Sequence, residues 1–180
     1  MNALTKAQAQ LAVIKGNIAF LKLSPAQKRI AIVKDCLAML RSRSCPEITP
    51  GTYCHIPDGD NYENRSLQEI LPSLQSSCRV CAMGALFLSH VRKANNVDAG
   101  DHFFDEDIIE EMKGYFSESQ LRSIEKAFES TSYYDEEDTS DLSDKWYSHY
   151  PDPKKRLIAI LQNMLENGGK FKISKVPSVK

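Results

Sequence analysis

The stretch CRVCAMGALFLSHV, residues 78–91, constrains the fold of this chain more than any other. Read as a helix, it distributes Val80, Met83, Gly84, Phe87, Leu88 and Val91 around most of the circumference. A helix that is apolar nearly all round has to be covered on several sides. Cys81, Ala82, Gly84 and Ala85 are small, so a neighbouring helix can approach closely at that end. The apolar run Val80–Leu88 is nine residues long. That is far short of the ~18 a membrane span needs. The expectation is a buried central helix over about 77–93, capped by Ser76 or Ser77.

The rest of the chain supplies helices to cover it. Thr5 can cap a first helix, in which Leu11, Ile14, Ile18 and Leu21 recur at helical spacing. Gly16-Asn17 is a place for that helix to bend or end, because glycine costs about 1 kcal/mol relative to alanine in a helix interior. Ser24-Pro25 with Gln27 is a capping box with proline at the first helical position. Behind it Ile30, Val33, Cys36, Leu37 and Leu40 line one face. Residues 43–65 carry Pro46, Pro50-Gly51 and Pro57-Asp58-Gly59 and show no helical period. A connection of that length is a functional loop, a small hairpin or a strap.

Ser66 with Glu69 opens a short helix that Pro72 kinks or stops. Ile108, Ile109, Met112 and Phe116 mark a helix with an acidic first turn, and Ser117 with Gln120 starts another through Leu121, Ile124 and Phe128. Residues 130–144 read as an acidic loop. Asp152-Pro153 starts a last helix, which Gly168-Gly169 stops. The expected fold is mostly α, one domain spanning 1–180 as a multi-helix assembly around the central helix. Residues 43–65 and 170–176 are the places for a small hairpin or strand.

Net charge is −1, but its distribution is uneven. Residues 1–44 carry +7, residues 101–145 carry −11, and residues 146–180 carry +5. Basic ends and an acidic middle can neutralise one another if the fold brings them together, or leave an acidic face for a basic partner. Lys22, Lys28, Arg29, Lys34, Arg41 and Arg43 make the helices within 5–43 a site for weak, salt-sensitive nucleic-acid contact, with no sequence-reading motif beside them. No export signal precedes the first helix, and five cysteines are no disulfide framework. The expectation is a reduced, cytoplasmic protein with no membrane association.

Three roles compete for Cys78 and Cys81. In the first they fill space in the core, as buried thiols commonly do. In the second, Cys45, Cys54, Cys78 and Cys81, with His55 nearby, hold zinc. In the third, a thiol in the first helical turn is activated by the dipole and by Arg79, with His149 or His102 as base and Asp152 orienting His149. Papain-like enzymes place a nucleophile at a helix start, but they bring the histidine in on a strand, and strand pattern is scarce here. No glycine-rich phosphate loop, nucleophile elbow or H-E-x-x-H is present, and the acidic loop fails the EF-hand template. The expected protein has no cofactor, zinc being the alternative.

The acidic loop is flanked by aromatics. Tyr133, Tyr134, Asp135, Glu136, Glu137, Asp138, Trp146, Tyr147 and Tyr150 together suit a protein-contact surface. Anchors that hold the loop down are the competing reading. Two stretches, CRVCAMGALFLSHV and RLIAILQNMLENGGKF, also resemble a loose group of small uncharacterised bacterial and phage or prophage proteins. Those pair a Cys-Ala-x-Gly-Ala helix with a late Arg-Leu-x-x-Ile…Asn-Gly-Gly-x-Phe helix. The resemblance implies no activity and no site residue. It implies an accessory protein that binds a host protein. The cysteine pattern keeps a thiol-dependent or zinc-supported enzyme centred on Cys78 and Cys81 as the alternative.

Overall fold

A computed structural model describes residues 3–57, 65–74, 77–94, 97–100, 102–129 and 141–176. The fold is mostly α, with a small four-stranded sheet. Among the described residues, eight helices run in the order α1 (Ala3–Leu21), α2 (Pro25–Leu40), α3 (Leu67–Leu74), α4 (Ala82–Ala94), α5 (Asp105–Met112), α6 (Glu118–Phe128), α7 (Asp141–His149) and α8 (Pro153–Glu166). The strands are β1 (Glu47–Ile48), β2 (Cys54–His55), β3 (Arg79–Val80) and β4 (His102–Phe103).

The central helix is α4. Every residue from Ala82 to Val91 is buried, and α1, α2, α3, α5 and α6 all pack against it. α2 touches α4 on one side and α8 on the other, so Ile32, Val33, Cys36, Leu37, Met39 and Leu40 are all enclosed. Fully burying such a side chain contributes about 1.5–3 kcal/mol, and this row holds the two halves of the core together.

The helix starts follow their caps. Ser24 Oγ accepts from Gln27 N while the Gln27 side chain accepts from Ser24 N, completing the box. Ser117 Oγ accepts from Gln120 N, and Asp152 Oδ1 accepts from Lys155 N. Gly168 and Gly169 have φ of 66° and 83°, and Gly169 N bonds back to Met164 O, closing α8. α1 runs unbroken through Gly16. Its stripe of Leu11, Ile14, Ile18 and Leu21 faces solvent, and its last turns meet the body through buried Phe20 and an Asn17–Gln68 amide pair.

The central helix begins at Ala82, not near residue 77. The residues between the two cysteines form β3, one of the two inner strands of the sheet order β1-β3-β2-β4. β1 lies parallel to β3, with Glu47 N donating to Cys78 O and Thr49 N to Val80 O. β2 lies antiparallel to it, and Cys81 N donates to Tyr53 O. Cys78 and Cys81 therefore bracket a strand. Among its described residues the 43–65 segment supplies two strands that pair with β3 and not with each other, so they make no hairpin. The 170–176 tail forms no strand; it turns at Ile173-Ser174 and is held by side chains. Residues 141–144, expected as loop, begin α7.

Candidate functional site

Cys81 ends β3 and caps α4: its carbonyl accepts the first helical bond, from Ala85 N. Its sulfur accepts from the backbone N–H groups of Met83 and Gly84, as an activated thiolate would require. Yet burial outweighs those two bonds, and the carboxylates of Glu129 and Glu125 add to it, so the thiol is pushed up to about 12. Burial likewise lifts Cys78 to about 11 and Cys54 well above its ordinary value. Cys78 and Cys81 both lie close enough to Cys54 to act on it, whereas Cys45 neighbours Cys36 and gives its S–H to Pro46 O. The four-cysteine zinc set is therefore split. Among the described residues no group of three or more His, Cys, Asp or Glu is arranged to hold a metal.

The proposed bases stand elsewhere. His149 is exposed at the end of α7, edge-on to Tyr150, and Asp152 is occupied as the cap of α8. Among the described residues neither one hydrogen-bonds to Cys81. His102 stacks on His55 across the β2–β4 ladder and is exposed. The constellation of thiol, imidazole and carboxylate is not assembled.

Cys81 has two carboxylates beside it, Glu125 on α6 and Glu129 in extended backbone just past its end, 3% and 5% exposed. Both meet the segment leading into β2. The Tyr53 hydroxyl donates to Glu125 Oε1 at 2.5 Å, and Gly51 N donates to Glu129 Oε2 at 2.8 Å. Arg122 bridges Glu125 at 3.2 Å and Asp105 at 2.7 Å.

Behind them lies Arg156, wholly buried on α8. Its Nε donates to Phe128 O and its Nη1 to Tyr150 O, and its guanidinium lies over the rings of Phe128 and Tyr147 at 5.2 and 4.6 Å. Burial lowers the Arg156 pKa from its ordinary value. Desolvation raises Glu129 to about 7, against the opposing Gly51 bond. Enclosed as it is, this cluster fastens the 50–53 segment to α6 and α6 to α8, and Glu125 and Glu129 are its centre. Sequence reasoning passed over both, although Glu125 sits four residues after Leu121 on the apolar stripe of α6, and Glu129 directly follows the helix.

A second enclosed polar group sits on α4. The His90 Nδ1 is hydrogen-bonded to the Tyr115 hydroxyl, and Glu111 stands 3.8 Å from Nε2. An open cleft of about 420 Å³ lies between α2, α3 and α4, lined by Met39, Ser42, Gln68, Leu71, Pro72 and Arg92.

Of the aromatic, acidic surface, Tyr133, Tyr134, Asp135, Glu136, Glu137 and Asp138 lie outside the described residues. Trp146 is wholly buried, stacks near Phe171 and donates its indole N–H to Ile173 O. It is an anchor for the tail and offers no ring to a partner. Tyr147 is 41% exposed and Tyr150 half-buried. Among the basic residues, Arg29 donates to Tyr115 O and Lys28 lies over Phe20 and Tyr115, while Lys22, Lys34, Arg41 and Arg43 are exposed. No described helix is long and apolar enough to cross a membrane. In comparison with known proteins, no family model matches the chain, no curated protein matches it, and no solved structure matches its fold.

Proposed function

We propose that this protein acts by contact with another protein, through the acidic segment around residues 133–150, and performs no thiol chemistry. The observation that carries the reading is Tyr147. It is exposed on a helix fixed from beneath by buried Trp146 and by Arg156, and it directly follows the most acidic part of the chain. A rigidly mounted aromatic beside unlike-charge attraction is how contact surfaces combine affinity with steering. A role as a phage-type accessory factor that binds a host protein fits the resemblance of the central and last helices.

The test is capture with three baits: the native sequence, Tyr147→Ala, and a charge reversal of Asp135, Glu136, Glu137 and Asp138 to lysine. A protein retained by the first and lost by both variants is the expected result. Retention by both variants refutes the surface. The enzyme alternative is checked on the same preparation with a thiol reagent. Cys78 and Cys81 should stay unlabelled at neutral pH until the protein is unfolded, and rapid labelling of either would reinstate it.

A further inference from the structure

A row of polar side chains crosses the outer face of the small sheet. In the register of the four strands Glu47 lies opposite Arg79, Arg79 opposite His55, and His55 opposite His102. Their strand neighbours Ile48, Val80, Cys54 and Phe103 turn the other way and pack on the core, because successive residues of a strand point to opposite faces. Glu47, Arg79 and His102 are exposed and His55 is half-buried. Two imidazoles side by side are the part of this row that carries chemistry.

The pair has the dimensions of a chelate. The ring centres of His55 and His102 are 4.7 Å apart, and the rings are tilted by 38°. Two imidazoles bound side by side to one ion, each through a metal–nitrogen bond of about 2.0–2.1 Å, hold their ring centres about 4.5–5 Å apart. The β2–β4 ladder fixes both backbones, and χ2 of a histidine is a soft torsion, so the nitrogens can turn to a shared point while the strands stay in place. A second observation concerns His55 alone. Its Nδ1 is enclosed and has no hydrogen-bond partner among the described residues, a costly condition that an ion relieves by taking the lone pair. On the other ring, Phe104 stacks at an angle of 15° and steadies His102.

We infer that His55 and His102 form a binding site for one divalent transition-metal ion, held by one nitrogen of each ring, with its remaining positions taken by water. Imidazole nitrogen suits zinc, nickel and copper, whereas magnesium and calcium take oxygen. Two nitrogens fall short of the four donors of a structural zinc centre. The site is therefore an exchangeable one at the surface, in keeping with the absence of any larger ligand cluster among the described residues. Arg79, opposite His55, sets a positive charge beside it and limits its affinity. Cys54 adjoins His55 but is buried on the inner face, so the site uses no thiol. An ion held there clips β4 to β2, which share only two residue pairs. The site is independent of the acidic contact surface proposed above.

Nickel(II) is the probe, since it binds imidazole and leaves thiols unoxidised. Calorimetric titration of the untagged full chain should saturate at one ion per chain. The bound ion, being paramagnetic, should broaden the ring-proton resonances of His55 and His102 before that of His149. Nickel should also raise the unfolding midpoint by linkage, whereas magnesium at the same concentration should not. His102→Ala, at an exposed position, should abolish the saturable binding and the midpoint shift while the metal-free midpoint stays native. His55→Gln should abolish both as well, and His149→Ala should change neither. A native chain that shows no saturable binding overturns the inference. So does binding that survives either substitution in the pair, binding that is lost with His149→Ala, or broadening that falls first on His149.

Discussion

A methyl group on residue 84 would sit 1.5 Å from the Tyr53 carbonyl oxygen, closer than any real contact. Gly84 is required because the backbone of Tyr53, just before β2, lies against the first turn of α4. Gly84→Ala must push that strand away and break the Cys81 N to Tyr53 O bond. The expected loss is about 3–5 kcal/mol, at the severe end for a single methyl, read by urea denaturation. Glu129 gives a pH-dependent prediction. Its carboxyl rises from an ordinary 4.5 to about 7 because burial disfavours the charge. The folded state therefore holds a proton that the unfolded state has released between those values. Stability falls as pH climbs through that window and is level above it, by at most about 3 kcal/mol. Glu129→Gln keeps an acceptor for Gly51 N, so it should raise the melting temperature at pH 8 and leave it nearly unchanged at pH 4. An equal effect at both pH values would show that the proton is not the cause.

Caps made several elements legible. Ser24, Ser117 and Asp152 each opened the helix expected of them, because a side-chain acceptor at a helix start is a local arrangement that three or four residues specify. β3 was not legible: two residues carry no period, and its pairing to β1 and β2 is set by segments far away in sequence. α7 was hidden because DLSDKWYSH has few apolar side chains, and it is held by packing on α6 and by Trp146, which reaches the tail. That tail is fastened by a side chain as well. Asn163 donates to Lys172 O and Lys175 O and accepts from Lys172 N. Asn163→Ala leaves Lys172 N and Lys175 O without their side-chain partner, while Lys172 O keeps Lys175 N, and should cost about 1–3 kcal/mol. Faster amide exchange at Lys172 is the local signature. A melting point that falls while Lys172 stays protected would place the loss elsewhere.

At the scale of the whole molecule, the apolar segment is the centre that its all-round apolar pattern predicts, and it does more in the fold than fill space. One continuous stretch, Cys78–Ala94, runs first through the middle of the sheet and then through the middle of the helices. The candidate site was less legible. Its carboxylates, its arginine and its tyrosine are far apart in sequence and ordinary one by one, and only the crossing of α6, α8 and the approach to β2 makes them a cluster. There Glu129 and Arg156 also join the acidic middle of the chain to its basic end. The two-residue strands carry a kinetic consequence. Each ladder closes a long loop for very few bonds, so its entropy is lost before its enthalpy is gained. Refolding speed should then follow substitutions where α2 crosses α4, such as Val33→Ala, while Val80→Ala should leave refolding nearly untouched and hasten unfolding instead. Stopped-flow mixing with Trp146 as the reporter would time the two steps and show whether the sheet is the last piece to lock.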